Sequence, residues 1–307
     1  MMLIDPLGKS HGLISGGCLE ANIRELARRV HVSGKSLCPV YDTTDEDSIA
    51  SELGLGCNGR VEILIQEITA EHRSVLLQLL ERLESGKTSY LVHCFSSEDP
   101  ADLQQMVLLD ENRHLLSSAL PAPLPDLAVL PEKHHAVIVE DGMRWSLNRY
   151  LPPLKFWVFG GGIDARPMVR LASQLGWRVT LLDHRIEHAR QQDFPDAETI
   201  LRQTPDQFET AIHADAAVLM THNISLDATW LKHLQHCGSL GYTGLLGPVD
   251  RKQEVIELAG INPQSDFALS IHGPMGLDIG GDTPESVALS TLAQCHQVLY
   301  SGQAGRH

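Results

Sequence analysis

Positive charge is scarce in this chain of 307 residues, which carries 24 Lys and Arg against 39 Asp and Glu, for a formal net charge of −15. An acidic surface repels phosphate backbones and anionic lipids, so this balance argues against nucleic acid and acidic membranes as partners. Long apolar runs are missing too. No stretch approaches the length that spans a bilayer, and Asp5 and Pro6 interrupt the first residues before a signal-like segment forms. We therefore expect a cytoplasmic protein without membrane insertion.

Paired cysteines and hydrolase motifs are also absent from the sequence. The six cysteines are scattered with no Cys-x-x-Cys pair, and without an export signal they are expected to be reduced thiols. There is no Gly-x-Ser-x-Gly elbow, no Walker loop and no His-Glu-x-x-His segment, so nothing indicates a hydrolase. His233 and His236 fall on one predicted helix but lack a second ligand pair, which favours solvated helix residues over zinc ligands.

The stretch Lys155–Arg185 carries the strongest pattern in the chain. A short apolar run rich in aromatic residues is followed by three glycines, an amphipathic helical segment and a second apolar run that ends on Asp183. Gly160, Gly162 and Ala165 fit the fingerprint Gly-x-Gly-x-x-Gly/Ala, which allows a tight turn, close approach of a pyrophosphate and close packing of helix on strand. Asp183 lies 21 residues after Gly162, where an acid accepts a hydrogen bond from a ribose hydroxyl. The pattern predicts the first βαβ unit of a dinucleotide-binding fold.

The rest of the chain predicts two domains. Residues 1–150 mix short strands with helical segments and end at the proline-containing linker Leu151–Pro153. Residues 151–307 alternate strands and helices, with the last strand predicted over Phe267–Ile271. The expected fold class is α/β, with a C-terminal Rossmann-like doubly wound parallel sheet and an N-terminal mixed α+β domain.

Glycines and polar residues follow several of the predicted parallel strands. Ligands of such sheets bind outside the carboxyl ends of the strands, so we expect these loops to converge on one crevice. The alternative is that they are turn residues whose hydrogen bonds are satisfied within the chain. The candidate cofactor-binding residues are Gly160, Gly161, Gly162, Asp164, Ala165, Arg166, Asp183, Arg185, Thr221, His222, Asn223 and His272.

Two cysteines stand among glycines, Cys18 in the segment Ser15–Glu20 and Cys57 in the segment Leu53–Cys57. Glycine leaves a sulfur open to close approach, and Cys18 also precedes a predicted helix, whose N-terminus lowers a thiol pKa. A thiolate at either position would suit a nucleophile, a persulfide carrier or a soft-metal ligand. The alternative is that each cysteine is a small apolar residue in a tight turn.

The nucleotide fingerprint leaves other functional classes open. One is an NAD-dependent oxidoreductase. Asp183 fits NAD better than NADP, because an acid at this position repels the 2′-phosphate of NADP, and His222 could serve as the general acid. Such an oxidoreductase would lack an obvious proton donor such as a Tyr-x-x-x-Lys pair. A nucleotide-sensing regulator would bind NAD without chemistry. An anionic cofactor needs local positive charge in an acidic chain, and four basic residues could supply it: Lys155, Arg166, Arg170 and Arg185.

Taken in order, these motifs resemble the XdhC/CoxI-type accessory proteins of xanthine and carbon monoxide dehydrogenases. The resemblance covers nearly the whole chain. It rests on the two glycine-framed cysteines, Phe159–Pro167, Asp183–Arg185, Thr221-His222 and Gly276–Pro284. It implies a maturation factor with an N-terminal cysteine-bearing domain and a C-terminal Rossmann-like domain. The family usually has a helix and a strand before the segment equivalent to Met1–Ile4, so the N-terminal domain is expected to lack them here.

By that resemblance the protein binds molybdenum cofactor, as molybdopterin or its cytosine dinucleotide form, with NAD as the alternative ligand. It helps the cofactor acquire its terminal sulfido ligand and delivers it to an apo molybdenum hydroxylase. Cys18 and Cys57 would handle sulfur or molybdenum, Gly160–Asp164 and Arg166 would hold phosphate, and Asp183 would hold a ribose. The resemblance also implies a homodimer, a cysteine desulfurase as a further partner and no turnover of its own. No resident metal site is predicted.

Overall fold

The chain divides into two compact units, Met1–Pro152 and Pro153–His307. The computed structural model describes residues 1–14, 19–42, 59–96, 103–119, 135–238 and 240–300. Cys18 and Cys57 lie outside the described residues, so their role stays a prediction. Within these ranges, no helix combines the length with the apolarity that a bilayer crossing requires.

The first unit mixes helices with antiparallel strands. In chain order the elements are β1 (Met2–Ile4), β2 (Ser10–Gly12), α1 (Glu20–Ser33), β3 (Val40–Asp42), β4 (Arg60–Glu62), α2 (Ala70–Glu84), β5 (Ser89–Ser96), β6 (Met106–Leu109), β7 (Leu115–Ser118), β8 (His135–Glu140) and β9 (Met143–Tyr150). Strands β5 to β9 form one sheet in the order β7-β6-β5-β9-β8, and β1 with β2 and β3 with β4 form two short pairs. The predicted mixed α+β character is confirmed.

Strand β5 is the middle strand of this sheet, and both of its faces are buried. Val92 and Cys94 pack with Trp145 of β9 on one face of the sheet. Leu91 packs on the other face, in the cluster that includes Val75 of α2. Alternate side chains of one strand therefore serve two separate apolar clusters.

The second unit alternates strands and helices as the sequence predicts. Its elements are β10 (Lys155–Phe159), α3 (Ala165–Gln174), β11 (Arg178–Leu182), β12 (Thr199–Leu201), a 3-10 turn (Pro205–Gln207), β13 (Ala216–Leu219), α4 (Ile224–Gln235), β14 (Tyr242–Leu245), α5 (Val249–Leu258), α6 (Asp266–Ser270), β15 (Ile271–His272) and α7 (Pro284–Tyr300). All neighbouring strands pair in parallel, in the order β12-β11-β10-β13-β14-β15.

Helices cover both faces of this parallel sheet. In β13, Ala216 and Val218 pack in the cluster that contains residues of α3 and α7. Ala217 and Leu219 pack in the cluster that contains residues of α4 and α5. A strand that is buried on both faces reads as a continuous apolar run, which is why these strands could be located from sequence. The predicted doubly wound Rossmann-like sheet is confirmed.

The strand predicted over Phe267–Ile271 is wrong for most of its length. The segment Asp266–Ser270 is the helix α6, and the Ser265 hydroxyl caps it by accepting a hydrogen bond from the Ala268 N–H at 3.2 Å. Only Ile271–His272 is extended, paired with β14. Periodicity cannot separate a short buried helix from a strand in a five-residue apolar run, and the deciding serine lies before the run.

Candidate functional site

The second sheet has a topological switch point at the carboxyl ends of β10 and β13. From β10 the strand order runs through β11 to β12 on one side and through β13 to β15 on the other. Helix α3 follows β10 and helix α4 follows β13, and the two helices lie on opposite faces of the sheet. The two loops therefore diverge and leave a crevice, the usual ligand site of an open α/β sheet.

Gly160 and Gly161 are required by the packing of the chain on itself. Gly160 has a φ of +114°, and a Cβ there would lie 2.4 Å from the carbonyl oxygen of Met220. A Cβ on Gly161 would lie 2.0 Å from the carbonyl oxygen of His188. Both contacts are with backbone, which cannot move aside as the end of a flexible side chain can. The packing of the chain therefore explains why both residues are glycine, without any ligand.

Gly162 has room for a side chain at the crevice, with only an ordinary van der Waals contact at its Cβ position. The nearest atoms to its Cβ position are ring atoms of His222 in the loop after β13, at 3.9 Å. The same ring bonds to the neighbouring loop, with His222 Nε2 2.8 Å from Asp164 Oδ2. The His222 side chain is 57% exposed and that of Asp164 26%. His222 also has a φ of +59°, a left-handed conformation that is uncommon outside glycine. This histidine and aspartate link the two loops of the switch point.

Asp183 is almost completely buried, with 4% of its surface exposed. The Gly161 N–H donates to Oδ2 at 2.7 Å, and Arg185 donates to Oδ1 through its own N–H at 2.9 Å and to Oδ2 through Nη2 at 2.6 Å. Burial alone would raise the pKa of this carboxyl, but these hydrogen bonds outweigh burial and hold the pKa below its usual value. A ribose hydroxyl would have to displace one of these donors.

The loop after β13 is tied to a buried carboxylate. The Thr221 hydroxyl donates to Asp227 Oδ1 at 2.6 Å, and the guanidinium of Arg251 donates to Asp227 Oδ2 at 2.7 Å. Asp227 is fully buried. Asn223 caps α4, since its Oδ1 accepts a hydrogen bond from the Leu226 N–H at 3.1 Å. Thr221 and Asn223 therefore have structural partners of their own.

The basic candidate Arg166 pairs with an acid of the same unit. Its Nη2 lies 2.8 Å from Asp193 Oδ1, and Arg190 donates to the other oxygen of Asp193 at 2.7 Å. Ala165, the small residue of the fingerprint, is fully buried against the core. With Arg185 paired to Asp183 as well, both candidate cofactor-binding arginines already have carboxylate partners within the chain.

His272 lies in β15, two strands away from β13, the strand that precedes His222. Its ring stacks on Tyr242 with centroids 4.8 Å apart, and the Lys252 ammonium donates to the Ile271 carbonyl beside it at 2.5 Å. Burial, and then the nearby Lys252 charge, lower the pKa of His272. This places His272 on the half of the edge beyond β13.

Sequence reasoning missed Asp227 and Arg251. A signal was present, because Asp227 shares a helical face with the buried residues Trp230, Leu231 and Leu234, where a charge needs a partner. The partner could not be inferred, since Arg251 belongs to a different helix.

Two of the described cysteines are poor candidates for sulfur chemistry. Burial first, and then the Glu62 carboxylate, raise the pKa of the Cys38 thiol to about 11, and burial raises the pKa of Cys295 to about 12. Both are therefore protonated at neutral pH and weakly nucleophilic. Among the described residues no group of three or more His, Cys, Asp or Glu could hold a metal ion, so His233 and His236 belong to no such group.

Comparisons with known proteins found two matching protein families and two similar proteins. The XdhC Rossmann domain family matches residues 156–295, and the XdhC and CoxI family matches residues 1–42. A Bacillus subtilis protein named as a probable subunit of xanthine dehydrogenase is 30% identical over 303 residues, covering 96% of this chain and 86% of its own. A Bacillus halodurans crystal structure described as a xanthine dehydrogenase is 26% identical, with a TM-score of 0.82 over 100% of this chain and 88% of that one.

Proposed function

Because this chain belongs to the XdhC/CoxI family, we propose that it is a maturation factor for a molybdenum hydroxylase of the xanthine dehydrogenase type. In this role it binds molybdenum cofactor, helps it acquire its terminal sulfido ligand and delivers it to the apo-hydroxylase. It is an accessory protein rather than an enzyme with turnover of its own. A homodimer and a cysteine desulfurase as sulfur donor belong to the same proposal.

The open glycine at the switch point is the observation that carries the proposal. Gly162 faces the crevice beside His222. Within the described part of the chain, the Asp164 side chain makes no cap hydrogen bond to α3 because it bonds to His222 instead. An anion at this turn would accept backbone hydrogen bonds as a capping side chain does in other helices, and the helix dipole would favour its charge. The phosphate of molybdopterin fits these residues, and Gly162 and His222 would border it. The cofactor supplies molybdenum redox chemistry to the hydroxylase, and this chain would bind and orient it.

The N-terminal half would carry the sulfur chemistry of the proposed function. Cys38 and Cys295 are held as thiols by their raised pKa values, so these two are poor candidates for sulfur chemistry. Cys18 and Cys57 are the candidates for sulfur transfer or molybdenum contact. We propose these roles from the glycine-framed motifs and the family.

Retention of the pterin through gel filtration tests the proposal. We expect the full chain, incubated anaerobically with cofactor released from a molybdenum hydroxylase, to elute with about one pterin and one molybdenum per chain. Gly162→Leu would fill the crevice and lower retention at least tenfold. The matched control is Gly238→Leu, because Gly238 likewise has no close contact at its Cβ position but lies after α4. If no pterin is retained and the hydroxylase matures normally in cells without this protein, the proposal fails.

An NAD-dependent oxidoreductase remains the second candidate, and one observation weighs against it. The carboxylate that would accept the ribose hydroxyls, Asp183, is 4% exposed and engaged by Gly161 and Arg185. Calorimetric titration with NAD should therefore show no sub-millimolar binding. Tight binding with hydride transfer to a substrate would replace the proposal by the oxidoreductase, and tight binding without chemistry would favour a nucleotide sensor.

A further inference from the structure

A buried ion pair lies directly behind the loop that carries His222. Asp227 is fully buried on α4, and the Arg251 side chain on α5 is 20% exposed. Arg251 reaches the carboxylate past Gly247, where a Cβ would lie 2.4 Å from Arg251 Cδ. Gly247 also has a φ of +117°, which favours glycine. Its conformation and its lack of a side chain therefore both allow Arg251 to pack against it.

The second oxygen of this carboxylate holds the loop. Asp227 Oδ1 accepts the Thr221 hydroxyl at 2.6 Å and the Thr221 N–H at 3.3 Å. The Thr221 oxygen in turn accepts the N–H of Asn223 at 3.2 Å. The residues on both sides of His222 are therefore fixed to one buried group.

His222 has a conformation that its own side chain does not favour. A histidine at φ +59° costs free energy and persists only where the surrounding structure determines it. The fixed neighbours Thr221 and Asn223 provide that determination, and the ring then meets Asp164 at 2.8 Å. The Asp227 carboxylate bonds to Arg251 on one side and to Thr221 on the other, so its effect on the ring passes through Thr221.

We infer that Asp227 and Arg251 are positioning residues for His222, which they hold against Asp164 at the crevice through Thr221. The effect on ligand binding rests on the proposed function, whereas the positioning of the ring does not.

Histidine labelled with ¹³C at Cε1 gives the direct test, without any ligand. The His222 signal is assigned with His222→Asn, and Asp164→Ala defines its position when the ring has lost its partner. We expect Thr221→Val and Arg251→Met to move the His222 signal toward that of Asp164→Ala. Thr221→Ser keeps the hydroxyl and should restore the wild-type position. Arg178→Met, which breaks an ion pair at the amino end of β11, should leave the signal unchanged.

A variant that leaves Asp227 as an unpaired buried charge is at risk of unfolding. Asp227→Leu with Arg251→Met removes both charges together and avoids that penalty, and it too should move the His222 signal. A wild-type His222 signal in this double variant and in Thr221→Val would overturn the inference.

The cofactor assay adds a coupling test. If Arg251 acts through His222, Arg251→Met lowers pterin retention at least tenfold in the wild-type chain and by less than twofold in a His222→Asn background. Equal losses in both backgrounds would contradict the inference. Failure of the wild-type chain to retain pterin would count against the proposed function alone, because the signal of His222 is measured without cofactor.

Discussion

A Cβ on Gly161 would lie 2.0 Å from the carbonyl oxygen of His188, whereas one on Gly162 would meet no described atom closer than 3.9 Å. Adjacent residues of the same type thus have different reasons to be glycine. Gly161 lets the segment after β11 pack on the loop, and its N–H bonds to Asp183. Gly162 leaves space at the crevice. At the scale of single residues, a structural cause and a proposed binding role are therefore separable within one motif.

Alanine substitutions measure that separation. We expect Gly161→Ala to lower the stability of the second unit by about 2–3 kcal/mol, because a backbone contact has to shift. Gly162→Ala should change stability by less than about 1 kcal/mol, because van der Waals contact at 3.9 Å is ordinary. Hydrogen exchange of the β10 peptide reports the stability of this unit by itself. Equal protection in the two variants would show that the loop relaxes freely around Gly161.

At the scale of elements, helix α4 supplies both ends of the arrangement around His222. Its N-cap residue Asn223 bonds to the Leu226 N–H, and its first turn carries the buried Asp227. The helix therefore positions the loop from which it begins. Asn223 was predicted to contact the cofactor, which stays a prediction, and its side chain caps α4.

Substitution of the cap distinguishes the two roles of Asn223. Asn223→Ala should lower the local stability of α4 by about 1 kcal/mol, and Asn223→Asp should retain it, because a carboxylate also caps a helix. Hydrogen exchange at the first amides of α4 measures the effect. The cap is not important if Asn223→Ala exchanges like the wild-type chain. Loss of pterin in Asn223→Asp with a protected α4 would reveal a direct contact with the cofactor.

At the scale of the whole molecule, each unit carries an ionisable group whose contribution to stability is lost in acid, but over a different pH range. Burial, and then the nearby His72, lower the pKa of His93 in β5 of the first unit to about 4. Since the unfolded chain binds this proton near pH 6.5, the first unit loses stability as pH falls from about 6.5 to 4. Asp183 in the second unit has a lowered pKa, so its contribution is lost only as pH falls below the ordinary range of a carboxyl, about 4.

Mild acid should therefore loosen the first unit before the second. At pH 5 we expect the β5 peptide to lose about 2 kcal/mol of protection relative to pH 7, after correction for intrinsic exchange, and the β10 peptide to change much less. His93→Gln stays neutral and should remove most of the loss in β5. If β5 in this variant is as acid-sensitive as in the wild-type chain, another group controls the response.

Local patterns were sufficient for much of the fold. Apolar runs located the strands of the parallel sheet, and helical periodicity located α3 and α4, because both follow from which side chains must leave water. The same reasoning failed at Asp266–Ser270, where a serine cap outweighs an apolar run, and it gave no indication of the short strand β12.

By itself, the sequence determined a Rossmann-like unit behind a mixed α+β unit, a glycine turn at the end of β10 and membership of the XdhC/CoxI family. Only the tertiary structure decided which partners the turn and the acid meet within the chain. Asp183 could serve a ribose or Arg185 equally well as far as its neighbours in sequence are concerned, and the fold buries it with Arg185 Nη2 at 2.6 Å from its Oδ2. Gly161 meets His188, and Asp227 meets Arg251, across separations at which local preference carries no information. These contacts are determined when the sheet brings distant loops to one edge. A buried charge then needs a hydrogen-bond donor beside it, and the donor comes from another part of the chain.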